Sequence, residues 1–215
     1  GLADDVKQVV NVCKEVKSII TDLPNELASL VTPISQKFTV EKMPLKGEIC
    51  NFLGELEKKK NGSIAITLDG DPGAGKTRFA FQYMNELALN GLKGLFVCLE
   101  EAKDSALILE KRNLYIDPKA LPNIYILSDL PNGFDSLIGF SKHFDFVVVD
   151  SWQKVKNSFG KFDEYRKGVD GKILLVIFQQ TANGEMRGGS SSSFDGDIIL
   201  KSKTFDDYKQ NYIYP

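Results

Sequence analysis

The residues whose types and spacing most directly specify chemistry form a glycine-rich segment that ends in lysine and threonine. Residues 70–77 have the sequence GDPGAGKT and satisfy the pattern GxxxxGK[ST], which is typical of a loop that binds phosphates. Because glycine has no Cβ, the backbone can turn with positive φ and point successive N–H groups at an oxyanion. Lys76 supplies a point charge for the β- and γ-phosphates, and the Thr77 hydroxyl is a hard oxygen ligand for Mg²⁺. We predict a nucleotide site formed by Gly70, Asp71, Pro72, Gly73, Ala74, Gly75, Lys76, Thr77 and Arg78.

A buried strand that ends in an acid predicts a second part of this site. Residues 144–150 have the sequence FDFVVVD. A carboxylate at the carboxyl end of such a strand lies at the ligand edge of a parallel sheet. There Asp150 can hold Mg²⁺ through water and orient Thr77. An aspartate can also end a buried strand merely as a turn residue, but its pairing with the phosphate loop favours the metal site.

Glu100 ends another predicted strand, at residues 93–100. A carboxylate at that position can accept a proton from the water that attacks the γ-phosphate. The alternative is a surface acid that caps the next helix, a role that suits Glu101 better. We predict that Glu100 is the catalytic base and that Lys76 assists it by holding the phosphates.

Gln179 ends the strongly apolar strand predicted at residues 172–179. An amide at the ligand edge can bond the γ-phosphate of ATP and lose that bond after hydrolysis, which would couple the nucleotide to the loop at residues 182–193. Alternatively, the amide merely satisfies backbone groups at the end of the strand. We place Gln179 with Glu100 and Lys76 among the predicted catalytic residues.

Two loops carry residues that could contact nucleic acid. Aromatic and cationic side chains alternate in the first, at residues 152–170, which suits phosphate contact and base stacking. These residues are Trp152, Lys154, Lys156, Phe159, Lys161, Phe162, Tyr165, Arg166 and Lys167. Asp163 and Glu164 dilute the charge, so a solvated loop is an equal alternative. The second loop, at residues 182–193, offers only Arg187.

The elements that must position these residues alternate between strands and helices. Apolar runs predict strands, and apolar residues at helical spacing predict helices between them. This order predicts an α/β fold with a mainly parallel sheet flanked by helices and a C-terminal antiparallel edge hairpin. Strands are predicted at 64–69, 93–100, 123–128, 144–150, 172–179, 197–200 and 211–214, and helices at 3–21, 24–31, 47–60, 77–90, 104–113 and 133–143.

Residues 1–43 precede this pattern and are predicted to form an N-terminal helical appendage, whereas residues 44–215 form the ATPase domain. The amphipathic helix at residues 3–21 could pack in a hairpin on its own core or dock on a neighbouring subunit. Because the chain begins with Gly and stops in a β-like run, we expect a processed or truncated form of a longer protein.

The composition excludes several classes of protein. A net charge of −2 and a pI of about 5.6 exclude a polybasic nucleic-acid binder. The three cysteines form no CxxC pair, which argues against a disulfide framework or zinc ribbon and favours a reducing cytoplasm. No apolar run is long enough to span a membrane.

The ordered motifs GDPGAGKT, LFVCLEEAKDSA, NIYILSD, FDFVVVDSWQKV and LLVIFQQT resemble those of RecA-like ATPase domains over residues 44–200. The resemblance is closest to the bacterial RadA branch and extends to KaiC-type and replicative-helicase motor domains. It implies ATP and Mg²⁺ as cofactors, a homo-oligomeric ring or filament with ATP between subunits, and DNA contact through residues 152–170 and 182–193. The chain departs from RadA-type proteins in lacking the four-cysteine zinc module and the KNRFG segment, where Ala182-Asn183-Gly184 stands instead.

We therefore predict a cytoplasmic ATPase that acts in DNA recombination, repair or replication. If a neighbouring subunit supplies a catalytic cation, the isolated chain would hydrolyse ATP slowly. The first alternative is a KaiC-like regulatory or scaffold ATPase that does not bind DNA. The second is a small-molecule P-loop kinase, against which the lack of an arginine-rich lid argues.

Overall fold

A computed structural model describes residues 24–179 and 195–215, apart from the side chain of Tyr208. The predicted helix at residues 3–21 and the predicted loop at residues 182–193 lie outside these ranges. The chain divides into two compact units between Val40 and Glu41. The domain boundary predicted after residue 43 stays a prediction.

The first unit contributes one short described helix, α1 (Asn25–Ala28), which begins after Pro24 as the sequence predicts. It ends earlier than the predicted residue 31. Its side chains bury no apolar face, so nothing compensates the low stability of so short a helix in water.

The second unit is built on a seven-stranded sheet with the order β3-β2-β4-β5-β1-β6-β7. Every neighbouring pair is parallel except β6 and β7, which form the predicted antiparallel edge pair. The predicted α/β fold is therefore confirmed. The strands are β1 (Ile64–Gly70), β2 (Gly94–Cys98), β3 (Ile124–Leu127), β4 (Phe146–Asp150), β5 (Ile173–Ile177), β6 (Ile198–Lys203) and β7 (Tyr212–Tyr214).

Five helices of this unit pack on the sheet or follow its strands: α2 (Glu48–Leu53), α3 (Lys76–Leu89), α4 (Ala106–Tyr115), α5 (Phe134–Ser141) and α6 (Phe162–Gly168). The predicted helix at residues 47–60 is wrong in its second half. Gly54 has φ +81° and ends α2, after which Glu57 pairs with Lys42 in an isolated antiparallel bridge. Apolar residues at helical spacing also satisfy this packed extended segment, in which Leu56 is buried.

The central strands bury both faces, which is why their sequences are continuous apolar runs. In β5, Ile173 and Leu175 enter the apolar layer that contains α2, α3 and α4. Leu174 and Val176 enter the opposite layer, which contains α5 and α6. Within the described residues, no helix has both the length and the apolar character needed to cross a membrane.

Candidate functional site

The phosphate loop connects the end of β1 to the start of α3. Gly70, Gly73 and Gly75 have φ values of +138°, +78° and +92°, as a loop that turns its N–H groups inward requires. Gly70 also needs the space, because a Cβ there would lie 2.1 Å from Ser202 Oγ in β6. Gly75 precedes the first residue of α3 in the left-handed conformation, so the helix dipole is directed at the loop.

Lys76 is folded back onto the loop that it ends. Its Nζ donates hydrogen bonds to the carbonyl oxygens of Gly70 at 2.6 Å and Asp71 at 2.7 Å. Burial lowers the pKa of Lys76, and the carboxylates of Asp150, Asp71, Asp69 and Glu100 oppose this effect. The ammonium group is thus held inside the loop, among acids.

Thr77 and Asp150, the two predicted Mg²⁺ ligands, are in direct contact. Thr77 Oγ1 donates a hydrogen bond to Asp150 Oδ2 at 2.9 Å. Burial raises the pKa of Asp150 to about 6, against the effects of the Thr77 hydrogen bond and the Lys76 charge. A hydroxyl and a carboxylate suit Mg²⁺, which takes few protein ligands and completes its shell with water and phosphate. The described residues hold no cluster of three or more His, Cys, Asp or Glu that would bind a metal without a nucleotide.

Glu100 lies two residues beyond β2, beside the end of β4. The N–H of Leu99 donates to the carbonyl oxygen of Asp150 at 3.0 Å, which carries Glu100 to this edge. Ser151 Oγ donates to Glu100 Oε1 at 2.8 Å, and Gln179 Nε2 donates to the same oxygen at 2.5 Å. The structure therefore brings together the predicted Glu100, Asp150 and Gln179, which follow the neighbouring strands β2, β4 and β5.

Sequence reasoning missed two residues of this cluster, Ser151 and Gln153. Ser151 is buried and contacts Glu100 as described. The Gln153 side chain bonds both main-chain groups of Gln179, accepting from its N–H at 3.2 Å and donating to its carbonyl at 3.4 Å. The available signal was a pair of polar residues directly after the acid that ends an apolar strand.

A cleft of about 440 Å³ adjoins the phosphate loop and also escaped prediction. It lies between the start of α3 and the C-terminal hairpin, and Arg78 and Tyr212 are among the residues that line it. The Arg78 guanidinium lies over the Tyr115 ring, 5.5 Å from its centroid. Asn211 Nδ2 donates to the carbonyl oxygen of Gly73 at 3.3 Å, which ties the hairpin to the loop. The cleft leaves room for the rest of a nucleotide beside its phosphates.

The structure corrects the prediction of a nucleic-acid loop at residues 152–170. This segment contains a 3₁₀ helix (Trp152–Lys154) and α6. Its aromatic residues Trp152, Phe162 and Tyr165 are buried in the core, with the Trp152 and Phe162 rings 5.6 Å apart. Of the aromatic residues predicted to stack on bases, Phe159 alone is exposed, at 78%.

The cations of that segment are also partly occupied. Arg166 and Lys167 pair with Asp163 at 2.8 and 2.5 Å, and Lys161 lies over the Phe134 ring. Lys154 and Lys156 remain exposed. The residues that could meet nucleic acid are therefore Phe159 and these two lysines, while Arg187 lies outside the described residues.

Solved structures share this fold. The chain is similar to the ATPase domain of a replicative helicase, with a TM-score of 0.52 and 14% sequence identity over 71% of this chain and 72% of that one. It is also similar to the flagellar accessory protein FlaH from Methanocaldococcus jannaschii, with a TM-score of 0.58 and 11% identity over 78% of this chain and 82% of that one. The sequence matches no family model and no curated protein. The fold is thus that of the RecA-like P-loop NTPases, and the likeness does not single out the RadA branch.

Proposed function

We propose that this chain is a Mg²⁺-dependent ATPase whose nucleotide lies across residues 70–77. The observation that carries the proposal is the meeting of Thr77, Asp150 and Glu100 at the carboxyl edge of the sheet, with Thr77 bonded to Asp150. The RecA-like fold supports it, because in open α/β sheets ligands bind at this edge.

In this proposal, the N–H groups of the loop and Nζ of Lys76 hold the β- and γ-phosphates. Lys76 exchanges its hydrogen bonds to the Gly70 and Asp71 carbonyls for phosphate oxygens. Thr77 and Asp150 would hold Mg²⁺, which when bound neutralises charge on the phosphates. Arg78 faces the adjoining cleft, where the nucleoside would lie.

Glu100 acts as the base for hydrolysis. As the water oxygen attacks the γ-phosphorus, a proton of that water passes to Glu100 and the bond from the γ-phosphorus to the bridging oxygen breaks. The products are ADP and inorganic phosphate. Both described donors to Glu100 use Oε1, so Oε2 receives the proton. Gln179, which donates one of those bonds, reports the γ-phosphate by exchanging Glu100 for a phosphate oxygen.

The biological role that we propose is in DNA recombination, repair or replication, by a cytoplasmic homo-oligomer in the form of a ring or filament. Exposed Phe159 beside exposed Lys154 and Lys156 supports DNA contact. The free, buried thiols of Cys50 and Cys98 fit a reducing compartment. A KaiC-like regulatory ATPase without DNA binding is the second candidate, and the burial of Trp152, Phe162 and Tyr165 favours it.

Two measurements test the proposal. Isothermal titration calorimetry with ATP or ADP plus Mg²⁺ should detect binding to the wild type. The Lys76→Ala variant should bind on the order of 100-fold more weakly because it loses charge-assisted bonds to phosphate. Lys103→Ala, which removes an exposed lysine outside the loop, is the matched control. The absence of binding heat with the folded wild type would refute the proposal.

The ATPase rate with and without single-stranded DNA then separates the two biological roles. Stimulation that weakens with salt supports the DNA role. Nucleotide-dependent assembly with a rate that DNA leaves unchanged supports the regulatory role. Transfer of phosphate to a metabolite in place of hydrolysis would instead indicate the small-molecule kinase.

A further inference from the structure

A chain of hydrogen bonds links the segment after β4 to the proposed catalytic base. Gln153 grips Gln179 by both main-chain groups, with the N–H bonded at 3.2 Å and the carbonyl at 3.4 Å. The side chain of Gln179 in turn donates to Glu100 Oε1 at 2.5 Å. Gln153 is thus connected to Glu100 through Gln179.

Gln153 acts where the sheet no longer positions the chain. Strand β5 ends at Ile177, and the last ladder-like bond runs from the Phe178 N–H to the Leu68 carbonyl at 2.9 Å. In the described part of the chain, Gln153 supplies the partners for both main-chain groups of Gln179. Its amide therefore decides where the Gln179 side chain starts and whether that side chain reaches Glu100.

Gln153 and Gln179 also line a cleft of about 470 Å³. Lys154, Lys156 and Phe159 line the same cleft, and Phe159 is 78% exposed. An exposed aromatic ring beside two ammonium groups suits a single-stranded nucleic acid, whose bases stack and whose phosphates pair with lysine. A strand bound here would contact Gln153 and Gln179 directly.

We propose that Gln153 is a positioning residue that holds Gln179, and through it Glu100, and that single-stranded nucleic acid in this cleft stimulates hydrolysis through Gln153. This inference rests on the proposed ATPase activity. Gln153 itself touches neither the phosphates nor the attacking water, and its effect on turnover passes through Gln179.

A double-mutant cycle on basal ATP hydrolysis tests the positioning role. Gln153→Ala should lower kcat about tenfold, because two neutral hydrogen bonds to Gln179 are lost. The KM for ATP should stay within about twofold, because the phosphate loop is unchanged. The double variant with Gln179→Ala should be no slower than Gln179→Ala alone. Gln36→Ala, an exposed glutamine in the other unit, is the control for a substitution without effect.

The outcomes of that cycle are distinguishable. Independent, multiplicative losses in the double variant would overturn the positioning role while leaving the ATPase proposal intact. A wild type that hydrolyses no ATP would overturn both. Partial recovery of kcat in Gln153→Glu would support the role, because this variant keeps an acceptor for the Gln179 N–H and loses the donor to its carbonyl.

Oligothymidylate tests the coupling to the cleft. It should raise the wild-type rate and leave the rate of Gln153→Ala unchanged even at saturation. Lys154→Gln is the matched variant that removes one charge from the cleft. It should need a higher oligonucleotide concentration but reach the wild-type ratio of stimulated to basal rate, since its Gln153 is intact. Equal stimulation of Gln153→Ala and wild type, or no stimulation of the wild type, would overturn the coupling.

Discussion

The hydroxyl of Thr77, the second residue of α3, donates a hydrogen bond to the carboxylate of Asp150 at the end of β4, over 2.9 Å. Strand β5 separates β4 from β1 in the sheet, so this bond crosses from the phosphate loop over a whole strand. The two predicted metal-binding residues are thereby held together before any nucleotide arrives.

Thr77→Ala should weaken the Mg²⁺ dependence of ATP binding. Loss of the hydroxyl removes one metal ligand and leaves Asp150 without its orienting donor, which typically costs about 10- to 100-fold in metal affinity. Calorimetric titration of ATP at increasing Mg²⁺ concentrations measures the effect. Thr77→Ser keeps the hydroxyl and should behave as the wild type. Equal loss in both variants would count against a ligand role for the hydroxyl.

Glu100→Gln should retain ATP binding and lose turnover by about 10²- to 10⁴-fold, the usual contribution of a general base. The amide can still accept hydrogen bonds from Ser151 and Gln179, but it takes up no proton from water. Steady-state phosphate release measures turnover, and calorimetry measures binding. Glu101→Gln is the matched control. A slow Glu101→Gln with a normal Glu100→Gln would exchange the two assignments.

Asp150 should make the stability of the nucleotide-free protein depend on pH. Burial raises its folded-state pKa to about 6, from 3.8. The folded state therefore binds more protons than the unfolded state between these values, so the free energy of unfolding falls as pH rises from about 4 to 6 and then levels off. Asp150→Asn should remove this contribution and be more stable than the wild type above pH 6, by on the order of 2–3 kcal/mol.

Urea unfolding of the wild type and Asp150→Asn across pH 4–8, without nucleotide or Mg²⁺, measures this difference. Because the asparagine oxygen can still accept from Thr77, the hydrogen bond is preserved. A difference in stability that stays constant across this pH range would show that Asp150 titrates as an ordinary carboxyl.

Gly70→Ala should destabilise the fold itself. The added Cβ would lie 2.1 Å from Ser202 Oγ and 2.4 Å from the Ser202 carbonyl oxygen, at a φ of +138°. We expect a loss of about 2–3 kcal/mol in the free energy of unfolding. Gly73→Ala is the control for backbone strain alone, because no atom lies within 4 Å of its Cβ and its φ is +78°. It should lose only about 1–2 kcal/mol. Equal losses would mean that β6 moves aside readily.

The phosphate loop and the acids at strand ends could be predicted because each depends on a few neighbouring residues. Gly70 to Thr77 carry their conformation in their own glycines, and Asp150 follows a run that can only be a buried strand. The alternation of strands and helices was likewise sufficient for the fold class. These features are local, and the residue pattern determines them directly.

Only the tertiary structure decided which side chains at the strand ends meet and which aromatic residues are buried. Gln153 reaches Gln179 across 26 positions, and Asn211 reaches Gly73 across 138. Trp152 and Tyr165 occur in a polar, charged segment yet pack in the core. Such contacts follow from strand order and from which face a segment covers. These depend on the packing of distant parts of the chain, which local spacing does not encode.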